Sequence, residues 1–98
     1  MRVLIPVEAK PNPTAMRERC RRFNDPDATI VLVHVSSSEE WADPDEMRQV
    51  REGLTAATRS LHGWGKQALF VVREGEPAQE IASLANKLSA DVVLLPAR

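Results

Sequence analysis

A single cysteine, Cys20, in 98 residues excludes an internal disulfide. No clustered Cys/His spacing offers a zinc site. A surplus of either charge is also missing. Thirteen basic and 14 acidic residues leave a net charge of −1, so nothing draws the chain globally to nucleic acid or anionic lipid. No apolar run approaches the length of a membrane span, and the opening Met1-Arg-Val-Leu-Ile-Pro-Val7 is too short before Glu8 and Lys10 for a signal peptide. A cytoplasmic location with no nucleic-acid or membrane partner is therefore expected. No G-x-G-x-x-G, P-loop or G-x-S-x-G pattern appears, and no carboxylates pair with convincing geometry. The sequence predicts no catalytic site and no metal site.

What remains is the composition of an ordinary folded domain, 43% apolar and 28% charged. Val3-Leu-Ile-Pro-Val7 is a short apolar run and reads as a buried strand. Pro6 donates no ladder hydrogen bond, which places it near the strand's end. Asn12-Pro13 supplies a cap and a first-turn proline, and Met16, Cys20 and Phe23 make a short apolar stripe that Asn24-Asp-Pro-Asp27 terminates. Thr29 to Val35 is the strongest strand, apolar on both faces like a central strand of a covered parallel sheet.

Ser36 to Ala42 reads as a polar loop. Asp43-Pro-Asp-Glu46 combines a cap, a proline and a capping-box acid. Met47, Val50, Leu54, Ala57, Leu61 and Trp64 then follow at helical spacing, ending at Gly63 and Gly65. Ala68 to Val72 is a third strand with Arg73-Glu-Gly75 as its exit turn. Pro77 opens a helix whose inward face is Ile81, Leu84, Ala85 and Leu88, and Val92 to Leu95 is a fourth strand. The order β-α-β-α-β-α-β predicts helices crossing between parallel neighbours in one domain, residues 1–98.

Charge is uneven along this pattern. Residues 1–24 carry six basic side chains against Glu8 and Glu18, whereas residues 25–46 carry seven acids and no base. A solvated helix face and an acidic loop account for this, as would two complementary docking patches. His34 lies on a buried strand with no orienting acid adjacent in sequence, and reads as a satisfied strand-end histidine. His62 is expected at the surface, Ser36-Ser-Ser38 as loop, and Cys20 as a small core residue. For Trp41 two readings stay open: a cover or anchor at the strand ends, or packing onto the helix that follows.

The segments Arg2-Val-Leu-Ile-Pro-Val-Glu8, Ile30-Val-Leu-Val-His-Val35, Val72-Arg-Glu-Gly-Glu-Pro-Ala-Gln-Glu-Ile81 and Ala90-Asp-Val-Val-Leu-Leu95 occur in that order. Together they resemble a universal stress protein domain across the whole chain. The resemblance implies a Rossmann-like three-layer α/β/α fold with an open parallel sheet, here four strands in the order 3-2-1-4. It also implies an adenosine-side groove, of which Pro6, Glu8 and Val35 survive. Only in an alternative, nucleotide-binding reading would an arginine such as Arg98 replace the family's backbone phosphate cradle. In ATP-binding members a glycine follows the fourth strand, with further glycines beyond a loop. Here Pro96 stands at the first glycine position, without an N–H and with a fixed φ, and the sequence stops at Arg98.

ATP binding in the family's usual mode is therefore not expected. The fourth strand, Val92, Val93, Leu94 and Leu95, is expected at an exposed sheet edge, where a second copy or another protein pairs with it. The sequence thus points to a non-enzymatic, stress-related regulatory or interaction module acting as a homodimer. The alternative it leaves open is an adenine-nucleotide-binding protein with a rebuilt phosphate site.

Overall fold

The computed structural model describes residues 1–21 and 25–94. Phe23, Leu95, Pro96 and Arg98, all used in the sequence reading, lie outside the described residues. The elements run β1 (Arg2–Pro6), α1 (Pro13–Cys20), β2 (Thr29–Ser36), α2 (Ser38–Trp41), α3 (Pro44–Gly63), β3 (Gln67–Glu74), α4 (Pro77–Lys87) and β4 (Val92–Val93). All strand pairings are parallel, and the four strands form one sheet in the order β3-β2-β1-β4.

Period-2 alternation sorts the strand side chains into two layers. Val3 and Ile5 of β1 join Ile30 and Leu32 of β2 beneath Met16 and Cys20 of α1 and Val50, Leu54, Ala57 and Leu61 of α3. Leu4, Val31 and Val33 face the opposite way and meet Leu84 of α4, with Ile81, Ala85 and Leu88 around it. Each fully buried Leu or Ile contributes about 2 kcal/mol of transfer free energy. The β1–β2 centre, where both layers meet, is therefore the most strongly held part of the sheet.

Local chemistry begins each long helix. Asn12 Oδ1 accepts from the amides of Thr14 and Ala15, and Asp43 Oδ1 from those of Asp45 and Glu46. Glu76 caps α4 through the Gln79 amide. Just before it Gly75 has φ +145°, a conformation that side chains disfavour. No helix among the described residues is long and apolar enough to cross a membrane.

Three expectations change. The segment from Ser36 to Ala42 is not loop throughout: Ser36 ends β2 fully buried, and Ser38–Trp41 forms a helical turn capped when Ser37 Oγ accepts the Glu40 amide. The strand expected over Ala68 to Val72 extends to Gln67–Glu74, so Arg73 and Glu74 belong to the ladder and not to an exit turn. The fourth strand shortens to Val92–Val93.

Proline chemistry accounts for the short strand. The β1–β4 ladder uses the even residues of β1, with Asp91 N donating to Arg2 O and Leu94 N to Leu4 O, each at 2.9 Å. The next rung would need an N–H on Pro6, which has none. Arg19 Nη2 of α1 donates to Leu94 O instead, at 2.9 Å. At the other end Arg2 fixes the entry to β4, its amide donating to Asp91 Oδ2 and its Nη1 to Leu88 O.

Candidate functional site

Beyond the carboxyl end of β1 the chain turns into α1 and leaves a cleft of about 570 Å³. Its walls include Pro6, Val7, Glu8, Asn12, Met16 and Arg19. This is where ligands bind in open parallel α/β sheets. The lining is mostly apolar, and its charged side chains are two carboxylates, Glu8 and Glu18, against one guanidinium, Arg19. That guanidinium already serves Leu94 O, and the first free amides of α1 are taken by Asn12. Among the described residues the cleft suits an apolar, uncharged body better than a polyphosphate.

A close approach fixes the loop that leaves this cleft. A Cβ on Gly53 of α3 would lie 2.8 Å from the carbonyl oxygen of Ala9. Only glycine lets the loop rest on the helix at that point. Between them sits a smaller cleft of about 190 Å³, lined by Ala9, Lys10, Glu40, Glu46, Gln49 and Val50.

Glu40 enters that cleft as the partner of His34. His34 is 8% exposed. Its Nδ1 lies 3.1 Å from Val7 O and its Nε2 2.7 Å from Glu40 Oε1. Hydrogen bonding from His34, and secondarily from Ser36, holds the Glu40 carboxyl below its ordinary range against the opposing effect of burial. Ser36 Oγ itself contacts Met47 Sδ at 3.6 Å.

The expected groove residues do not gather in one place. Pro6 and Glu8 share the larger cleft, whereas Val35 packs partly into the layer under α4 and does not line it. Arg98 lies outside the described residues. At the expected interface Val92 is half-buried, Val93 is 36% exposed and Leu94 is half-buried, while Leu95 is not described. Cys20 is buried, and burial pushes its thiol pKa up despite Lys66 and Arg19 nearby. His62 is exposed, with Nε2 2.8 Å from Ala68 O. Trp41 is 44% exposed on α2.

Sequence reasoning missed two residues here, Glu40 and Arg19. Glu40 lies six positions from His34, outside the adjacent positions searched for an acid. Arg19 sits in a run of arginines that reads as solvated. The absent donor at Pro6 was the available signal that some side chain had to finish the ladder. No group of three or more potential metal ligands occurs among the described residues.

Strand order, layering and a cleft at the strand ends define a Rossmann-like open α/β domain. The chain belongs to the universal stress protein family, whose model matches residues 1–98. Solved structures give the same fold. A universal stress protein from Archaeoglobus fulgidus superposes with a TM-score of 0.72 at 16% identity, covering 96% of this chain and 74% of its own. A universal stress family protein from Arabidopsis thaliana with AMP bound gives 0.73 at 20% identity, covering 99% and 76%. A Mycobacterium tuberculosis protein gives 0.69 at 18% identity, covering 94% and 67%. A search of curated proteins yields no match.

Proposed function

We propose that this chain is a non-enzymatic regulatory or protein-interaction module of universal stress type. In this reading it works as a homodimer joined along the outer edge of β4 and does not bind ATP in the family's usual mode. The observation that carries it is the state of that edge. Alternate residues of a parallel strand face opposite neighbours. Leu94 bonds to β1, so the backbone groups of Val93 turn outward, beside a side chain 36% exposed. Among the described residues no strand pairs with them. A two-residue strand offers few hydrogen bonds, so most of the roughly 800 Å² per protomer that a stable dimer buries must come from flanking side chains.

Sedimentation equilibrium at micromolar concentration tests this, with Val93→Lys as the edge-breaking variant. The expected outcome is a wild-type dimer and a folded Val93→Lys monomer. A monomeric wild type would remove the dimer from the proposal.

One observation favours a second reading. The apolar cleft beside Pro6 and Glu8 has room for an adenosine-sized body, and the Arabidopsis relative holds AMP. Calorimetric titration with AMP and with ATP and Mg²⁺ separates the two. A flat titration of folded protein fits the interaction module. Saturable binding that Glu8→Arg abolishes would replace it with a nucleotide-binding role.

A further inference from the structure

His34 is almost enclosed, yet both of its ring nitrogens meet acceptors. A carbonyl oxygen only accepts, so Nδ1, facing Val7 O, carries a hydrogen. A separation of 2.7 Å between Nε2 and a carboxylate oxygen requires a second proton between them. Of the two groups imidazole is the stronger base, which leaves that proton on the ring. The ring thus joins the exit of β1 to α2.

The turn it holds has little else to hold it. α2 has no buried residue, and its cap at Ser37 is local. Among the described residues its other side-chain ties are a hydrogen bond from Ser36 to the Glu40 carboxyl and one from Ser38 Oγ to Glu74 Oε1 at 2.9 Å, between exposed residues. The charged groups around the pair are Lys10 from the loop after β1 and Glu46 from α3, which share the small cleft with Glu40, and Glu74 at the end of β3.

We propose that His34 and Glu40 form a proton-operated latch that holds α2, and with it Trp41, against the carboxyl ends of the strands. When Nε2 loses its proton, an N–H donor facing a carboxylate becomes a lone pair facing a carboxylate, and attraction turns to repulsion. The Nδ1 bond to Val7 O survives, so the ring stays on the strand while Glu40 keeps only its weaker partner, Ser36, and α2 loosens. The latch is closed while the ring is charged and opens as pH rises through the ring's titration. On the acid side it weakens only when Glu40 takes up a proton below the ordinary carboxyl range.

The test follows the ring and the helical turn in one sample. Long-range ¹⁵N spectra of the His34 ring and amide exchange of residues 38–42 are recorded between pH 5 and 9, with exchange corrected for its intrinsic pH dependence. Both ring nitrogens are expected to be protonated at the acid end and Nδ1 alone at the alkaline end. Protection over residues 38–42 is expected to fall at least about tenfold, the equivalent of 1.4 kcal/mol, with the same midpoint. In Glu40→Gln the amide donates to the neutral Nε2, so protection is expected to persist at high pH. Protection that stays constant while the ring titrates would overturn the latch, as would a Glu40→Gln variant that keeps the wild-type pH dependence. Should that variant not fold, the wild-type comparison of ring and turn decides alone.

Discussion

The two edges of the sheet are finished in different ways. β3 is eight residues long. Gly75 N bonds to Ser36 O, so the backbone groups of Ala68, Phe70 and Val72 face away from β2. Side chains cover two of these carbonyls: His62 Nε2 donates to Ala68 O at 2.8 Å, and Arg73 Nη1 to Val72 O at 3.2 Å. β4 has two residues and spends its one side-chain donor, Arg19, on the inner ladder in place of Pro6. A long edge is thus blunted by polar caps, while a short one is anchored inward and, among the described residues, left open outward. Length alone is a poor guide to which edge is available; what occupies the outward carbonyls decides it.

Removing the layer that backs the centre of the sheet, between the two edges, has the largest expected effect. Leu84 is the one buried residue of α4 and packs on Leu4, Val31 and Val33. Leu84→Ala is expected to cost about 3 kcal/mol in urea denaturation, with amide protection reduced over β1 and β2, on which it packs. A smaller loss, about 1–2 kcal/mol, is expected for Arg19→Met, which leaves Leu94 O without its donor. Faster exchange at Leu94 and faster labelling of the buried Cys20 thiol check it, because the substitution also loosens α1.

At the blunted edge, His62→Ala is expected to change stability by less than about 1 kcal/mol. It should nevertheless raise concentration-dependent association, read by light scattering, because Ala68 O becomes free to pair. The smallest effect concerns acid stability. The Glu40 carboxyl is depressed by His34, so its contribution is present above the ordinary carboxyl range and lost as pH falls through the lowered value. Wild type is therefore expected to lose more stability than Glu40→Gln across that acid range, measured as the shift in denaturation midpoint.

The central elements were legible in the sequence because burial there is two-sided and periodic. The runs Val3-Leu-Ile and Ile30-Val-Leu-Val, and the stripe from Met47 to Leu61, left their packing written in residue type. Asn12, Asp43 and Pro77 marked helix starts through local chemistry. Legibility faded where one tertiary bond decides the outcome. α2 depends on Ser37 and on a histidine in another element, and β3 continues through the polar Arg73 and Glu74 because an edge strand tolerates them. β4 stops where a proline on its neighbour lacks a hydrogen. The cleft was half legible: Pro6 and Glu8 were placed beside each other by the turn out of β1, while Val35 went to the layer under α4.

Gly53 gives this arrangement a mechanical datum. Its missing side chain sets the distance between α3 and the loop that carries Ala9, and Val7, two residues earlier on that loop, supplies the carbonyl that orients His34. The helix therefore works as a gauge block: widen it by one methyl group and the loop must lift. A Gly53→Ala substitution, far from the ring in sequence, would tilt the acceptor that decides which nitrogen of His34 keeps its proton.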